Sequence, residues 1–510
     1  MEKSKGYQLY QKIYEIEPHK KDLIDFRIKF IEYLLSEGYL KPMFDLDNVE
    51  TENFTKVKND QNPLNKKYIN FRKAVSSLGG RLDYVKSGTT GHTFKGIINS
   101  SNGEINYAMK VVSYTKKEKY GGIHVISRPE NAELRMIKLL SYFVINHQTP
   151  HLVLPFATFN TNIKNFVTLI ESQYVLPNDK KYVEFVDRYK RGEFHKQVSI
   201  LISEWANNGD LLDFLRNNAE NKELLTTRFF KVIFFQLLSV LAIIQDKYPA
   251  FRHNDLKANN VLLHKTNIVK PIRQYYINNT IYGVPNIGYE IKLWDFDFAS
   301  IDGLIENAKV EAEWTSTMCN VTSKKNLYYD MHYFFNSLIK KGFFPQLMKE
   351  DFIGQEIKDF INRIVPKKYQ DGKYVHRKGR IAVDVEYLTP DQVLKTDIFF
   401  KEFRDIGMEI QEAQRNTYQG RNKEERLQRQ DKGNKATFIE EERLQRRDKE
   451  ERLRRRDQNK TKTKKSRDSA KIKDSSVKDN KYVKQILSIL LNDDIINNKE
   501  LFNSELSRIK

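Results

Sequence analysis

Part-way along the chain the hydrophobic period changes, and that change limits the folds open to it. From about Leu82 to Trp205 apolar residues fall in short β-rich runs: VKSGTTGHTFKGIIN, INYAMKVVSY, HLVLPFATF and VSILISEW. Glycine turns and one helical segment, Glu130 to Tyr142, separate them. From about Leu224 to Phe400 helical spacing takes over. There FFKVIFFQLLSVLAII is apolar almost all round, the pattern of a helix enclosed by other helices. The expectation is an α+β, bilobal body over 79–404, with a small, mostly antiparallel β lobe over about 79–205 and a larger helical lobe over about 206–404. A ligand would sit in the cleft between the two lobes.

The flanks differ in kind. Residues 1–78 carry helical spacing (Phe26, Phe30, Leu34, Leu35) without recognisable chemistry and read as a helical N-terminal extension. Residues 405–480 hold three imperfect copies of one short unit, KEERLQRQDK, EEERLQRRDK and KEERLRRRDQ. Glu425–Arg429, Glu442–Arg446 and Glu451–Arg455 stand at i,i+4 with the acid first, the favourable order on an exposed helix. Leu427, Leu444 and Leu453 keep no heptad, so the segment reads as an isolated charged helix fading into disorder. Residues 421–480 carry 22 Lys and Arg against 13 Asp and Glu, a net +9 within the chain's +20. Such a tail favours nucleic acid or an acidic partner. The competing reading is a solvated tail with Ser466, Ser469, Ser475 and Ser476 as autophosphorylation sites. Residues 481–510 form a short amphipathic segment that could dock back on the body.

The single cysteine, Cys319, excludes an intrachain disulfide framework and points to a reducing, cytoplasmic setting. Ten histidines without paired ligand spacing give no zinc pattern. The start, MEKSKGYQLY, has no apolar signal core, and Glu2 stands where myristoylation needs glycine. The longest apolar stretch, Val232 to Ile244, falls short of the roughly 17–25 residues a membrane span needs, and a buried helix is expected there.

Four segments carry chemistry, in an order that suits phosphoryl transfer. That reaction needs phosphates cradled, metal ions held on them and an acceptor hydroxyl aligned. In KSGTTGHTFKG, Gly88, Gly91 and Gly96 would let backbone N–H groups approach phosphate oxygens. Lys110 on the next strand and Glu133 on the following helix could form an ion pair that sets the lysine on the α- and β-phosphates. In FRHNDLKANNVLL, Asp255 would orient or accept the acceptor proton, Lys257 would neutralise the γ-phosphate and Asn260 would bind a metal. In IKLWDFDFAS, Asp295 ends a strand and could hold Mg²⁺ (or Mn²⁺) together with Asn260, since magnesium takes hard oxygen ligands.

These segments together resemble the signature set of eukaryotic-type serine/threonine protein kinases, over about Leu82 to Arg404. The resemblance implies ATP as donor and protein Ser/Thr hydroxyls as acceptors. It implies a hinge at SILISEWANNGDLLDFL, with Ser203 at the gatekeeper position and Glu204 to Ala206 offering backbone bonds to adenine. His253 takes the place of the catalytic-loop histidine, and Asp330 in YYDMHYFF that of the aspartate bracing that loop. LTPDQVLKTDIFF resembles the closing helix of the domain. WDFDFA, the insertion before it and the Asn/Lys/Ile-rich composition are similar to kinases of large nucleocytoplasmic DNA viruses, such as iridoviruses and mimivirus relatives. A virion is then a second place of residence beside host cytoplasm.

The chain also departs from the set. Lys86 replaces the first loop glycine, which either loosens the phosphate grip or adds a cation to it. Asn254 replaces the arginine that would receive an activation-loop phosphate, so switching by phosphorylation of that loop is not expected. Asp297 replaces the glycine of the metal tripeptide and could tune metal affinity. No A-P-E motif follows; WTSTMCNVT stands in its place. KTNIVKPIRQYYINNTIYGVPNIGYE is longer than the usual hairpin and reads as a surface elaboration, with a docking surface as the alternative. The expected activity is a serine/threonine kinase. A catalytically weak scaffold and a small-molecule phosphotransferase are the alternatives.

Overall fold

The computed structural model describes residues 24–35, 39–43, 64–88, 90–100, 103–266, 270–416, 440 and 443–451. The chain divides into two units, Met1–Thr417 and Tyr418–Lys510. In the second unit, residues 443–451 are helical and exposed. The expectations for the remainder of the basic tail and for 481–510 fall outside the described residues.

Among the described residues of the first unit, α1 (Ile24–Leu34) and α2 (Phe71–Leu78) come first. A five-stranded antiparallel sheet follows: β1 (Arg81–Ser87), β2 (Gly91–Ser100), β3 (Gly103–Thr115), then, after α3 (Pro129–Ile145), β4 (Pro155–Asn162), and, after α4 (Lys180–Lys190), β5 (Phe194–Glu204). The strand order is β1-β2-β3-β5-β4. Pro129 at the first turn of α3 costs no hydrogen bond there, and the helix is buried along most of its length, polar Glu130, Asn131 and Glu133 included. The second helix of this lobe, α4, has no counterpart in the expected β-lobe. Asp179 caps it, accepting from the amides of Lys181 and Tyr182 at 3.0 Å each.

The described parts of the N-terminal extension are built into the body. Phe26, Ile31, Leu34, Leu40 and Met43 belong to the hydrophobic core. Met43 N donates to Phe156 O at 2.9 Å, and Ile69 N to Asn160 O at 2.8 Å, which ties the segment to β4.

The helical part runs α5 (Leu211–Asn217), α6 (Thr227–Lys247), β6 (Phe251–Arg252), β7 (Val261–Lys265), β8 (Ile272–Ile277), β9 (Thr280–Pro285), β10 (Tyr289–Leu293), β11 (Ser300–Ile301), α7 (Glu313–Cys319), α8 (Tyr329–Leu338), α9 (Gln346–Lys349), α10 (Gln355–Ile364), α11 (Pro390–Thr396) and α12 over 401–416. Thr226 caps α6 through a bond from Phe229 N at 3.2 Å. By length and composition α6 could cross a membrane, but it lies inside the core, with 83% of its apolar window buried. Its Phe234 packs edge-to-face on Phe335 at 4.9 Å and stacks on Phe360 at 6.0 Å, and Phe335 meets Phe360 edge-to-face at 5.6 Å.

Two boundaries differ from the sequence reading. The body was expected to end at 404, yet α12 runs through that point to 416. The long insertion is no surface elaboration. β8 and β9 form a hairpin whose Tyr275, Ile277, Tyr282 and Val284 are buried. α12 lies on that hairpin: a Cβ on Gly407 would stand 2.0 Å from Ile281 O, and one on Gly283 2.2 Å from Ile406. The insertion thus docks this chain's own continuation, and bare glycines permit the approach.

Candidate active site

A cavity of about 1050 Å³ opens between the sheet and the helical part. Its walls include Lys86, Gly88, Gly91, Lys110, Glu133, Ser203, Glu204, Ala206, Asn260 and Asp295, together with Trp294 and Asp297. Asp255 and Lys257 adjoin it through Asn260.

The glycine turn closes β1 onto β2. A Cβ on Gly88 would meet only Gly91 O, at 3.9 Å. Gly91, which lines the cavity, has a packing role as well. A Cβ there would stand 1.8 Å from Val111 O, and one on Gly96 2.0 Å from the Tyr107 ring. Their bareness lets β2 lie on β3. Lys86 is exposed beside a register irregularity in β1.

Lys110 joins three elements. Its Nζ donates to Glu133 Oε1 on α3 at 2.6 Å and to Asp295 Oδ1 after β10 at 3.0 Å. Burial disfavours the ammonium, but Glu133 and Asp295 outweigh it and hold Lys110 protonated, above the ordinary lysine range. The two carboxylates that share this cation diverge. Burial pushes Glu133 up despite Lys110, with Asp295 and Asp297 adding to the push. Against the same effect of burial, Lys110 holds Asp295 well below the usual carboxylate range. Asp295 adopts left-handed backbone, φ 63° and ψ 63°, a conformation uncommon outside glycine that turns the chain at the cleft floor.

The loop after α6 is braced from below. The buried Asp330 carboxylate accepts from His253 N at 2.7 Å and Asn254 N at 2.8 Å. The His253 ring bonds Trp294 O at 3.0 Å and lies 4.9 Å from the Phe296 ring. Within the loop, Asp255 Oδ2 accepts from Lys257 Nζ at 2.6 Å and Asn260 Nδ2 at 2.9 Å. Asn260 Nδ2 also donates to Asp255 O at 2.8 Å, which commits its nitrogen and leaves its amide oxygen as a ligand. Trp294 N donates to Asn260 O at 3.2 Å and joins this loop to Asp295. The Asp295 carboxylate and an amide oxygen form a hard-donor pair that suits Mg²⁺ or Mn²⁺ completed by phosphate oxygens. Among the described residues no three His, Cys, Asp or Glu cluster into a protein-only metal cage.

At the hinge, Glu204 N already donates to Leu154 O at 3.0 Å, so its carbonyl, and not its amide, is left to a ligand. Ser203 is buried beside it, its hydroxyl 3.4 Å from that carbonyl.

Several residues in and around the site gave no sequence signal. Arg27, from α1, donates to both Glu204 carboxylate oxygens at 2.6 and 2.8 Å and to Leu152 O at 2.7 Å. The expectation of no chemistry in 1–78 therefore misses a hinge contact. Arg380 pairs with Asp255 Oδ1. Lys309 pairs with Asp297 and lies 3.8 Å from the centre of the Phe298 ring. This ties Asp297 to the following segment. Arg252 reaches Thr322 Oγ1 at 2.6 Å and Asn320 O at 2.8 Å. All four partnerships join residues that no local motif links.

The model of the poxvirus serine/threonine protein kinase family matches residues 125–403, which take in every cleft residue from Glu133 onward. A protein of Acanthamoeba polyphaga mimivirus, named as a candidate serine/threonine-protein kinase, is 49% identical over 385 residues, 74% of this chain and 80% of its own length. Serine/threonine-protein kinase 2 of Monkeypox virus is 32% identical over 137 residues, 26% of this chain and 28% of its own. The likeness to kinases of nucleocytoplasmic DNA viruses read from the motifs thus holds over most of the chain. The family match contains the loops that build the cleft floor, and the chain belongs to the poxvirus serine/threonine protein kinase family: it is a protein serine/threonine kinase.

Proposed function

We propose that the chain transfers the γ-phosphoryl group of ATP to serine and threonine hydroxyls of proteins, in a reducing cytoplasmic setting. Asp255 orients the acceptor hydroxyl and takes its proton, and Lys257 neutralises charge on the transferring group. Lys110, held by Glu133, meets the α- and β-phosphates. Glu204 C=O and the backbone at Ala206 face adenine, below Ser203. Asn260 and Asp295 would hold the divalent ion, which when bound shields the phosphate charge that would repel an incoming oxygen.

The observation that carries this reading is the Lys110 bridge between Glu133 and Asp295, set beside the Asp255–Lys257–Asn260 cluster. One cation, two carboxylates on separate elements and an acidic loop adjoin a cavity large enough for a nucleotide. The test is transfer of radiolabelled γ-phosphate with Mg²⁺ or Mn²⁺ onto casein, myelin basic protein and the chain itself, wild type beside D295N. Label on Ser/Thr that disappears in D295N is the expected result. A folded wild type that binds Mg-ATP yet labels nothing would favour the scaffold reading, to which the contact of Arg380 with Asp255 lends an observation of its own.

A further inference from the structure

Asp255 has two oxygens in unequal settings. Oδ2 already accepts from Lys257 and Asn260, at 2.6 and 2.9 Å. Among the described residues Oδ1 accepts only from Arg380, which comes from a loop 125 residues further along. A hydroxyl aligned by this carboxylate needs the less crowded oxygen, so the Arg380 guanidinium stands where the acceptor must arrive.

This arginine is firmly presented. His376 N donates to Arg380 O at 2.7 Å, and Val375 and Ile381 form a bridge that closes the loop. Asn336 on α8 donates to Gly379 O at 2.9 Å. Gly379, at φ +93°, has room for no side chain pointing that way without pressing on Ser337. The guanidinium lies 4.2 Å from the centre of the Tyr333 ring, and its side chain is 11% exposed. Asn320, at the end of the segment that stands in place of A-P-E, donates to Ile381 O at 3.0 Å. Arg380 thus lies between the acceptor carboxylate and the segment over which a substrate would lie.

We propose that Arg380 selects acceptors by charge, favouring serine or threonine with an acidic residue beside it. The proposal rests on the reading of Asp255 as the residue that takes the acceptor hydroxyl. An incoming hydroxyl displaces the guanidinium from Oδ1. A carboxylate on the acceptor peptide then offers it a new bidentate partner. A neutral or basic peptide leaves a largely buried cation without one, and that penalty discriminates against it.

The test measures kcat/KM on synthetic peptides with one serine flanked by glutamate, alanine or lysine, for wild type, R380Q, R380K and D255A. Thermal melting and affinity for an ATP analogue verify folding. Wild type should favour the glutamate peptide over the alanine peptide by about tenfold or more, and R380Q should narrow that ratio to within about threefold. If R380Q does not fold, R380K serves: a point charge replaces the fork, and the ratio should fall severalfold. An unchanged ratio in whichever variant folds overturns the proposal, as does a wild type without charge preference. D255A as active as wild type would instead overturn the assignment of Asp255, and the two failures are thereby told apart.

Discussion

Lys66 lies in the stretch before the sheet, yet its ammonium is buried behind the cleft. It donates to Tyr114 Oη at 2.7 Å, Ser199 Oγ at 2.8 Å and Asn131 Oδ1 at 3.1 Å. Burial lowers its pKa to about 7; Glu130 and Glu133 pull it up, and Arg128 pushes it down. The unfolded chain keeps this proton up to the ordinary lysine range, whereas the folded one sheds it from about pH 7. Between these limits the unfolded state binds more protons, so stability rises with pH. From pH 7 to 9 the gain from this residue is about 2 kcal/mol. Urea unfolding of K66M at both pH values should show that much less rise than wild type; equal slopes would refute the assignment. At this scale the sequence was legible only where chemistry is local. D-x-K-x-x-N declares itself because its members share one loop. Lys66, Arg380 and Arg27 reach partners across the fold, and a lone basic residue in a polar stretch resembles any exposed one.

Elements were legible where period and length agreed. The apolar α6 and the glycine hairpin were legible for that reason. Two others were not. α4 rests on a capping aspartate and a thin apolar stripe, Tyr182 and Phe185, which a short polar stretch disguises. The β8–β9 hairpin alternates apolar residues, but its Tyr275 and Tyr282 pack on Phe235 of α6 and its Ile281–Gly283 edge is covered by α12, which the charged composition beyond 404 assigned to the tail. α1 shows what such an element does. Its Arg27 holds Glu204 ionised: burial raises that carboxyl, but Arg27 and Lys292 more than offset the rise. Both side chains are nearly enclosed, at 6% and 10% exposure. R27A leaves a buried carboxylate without its guanidinium and should cost about 3–5 kcal/mol, read as a lower unfolding midpoint in denaturant. ATP-analogue affinity should weaken with it, because Glu204 also anchors Leu154 N at 2.8 Å. A stable R27A with unchanged affinity would show α1 to be a bystander.

For the molecule as a whole, the open question is what keeps the segment after Asp295 in place without a phosphate. Unmodified groups hold it along its length. Asn254, in the position expected to lack a phosphate partner, donates to Phe298 O and Thr322 O at 3.1 Å each. Asn307 donates to Asp297 O at 2.9 Å and Ala299 O at 3.1 Å, and Lys309 pairs with Asp297. Arg252 fastens the far end at Asn320 and Thr322. Two substitutions that look like defects in a motif, Asn254 and Asp297, thus supply anchors within the chain. Protein treated with phosphatase, with residues 302–324 shown by mass spectrometry to be unmodified, should keep transfer activity within about twofold in initial rates. D297G restores the usual glycine but releases Lys309. The pair is partly exposed, so its loss should cost up to about 1 kcal/mol, roughly a two- to fivefold fall in kcat. A dephosphorylated enzyme that loses more than about tenfold would mean that a phosphate, and not these side chains, orders the segment.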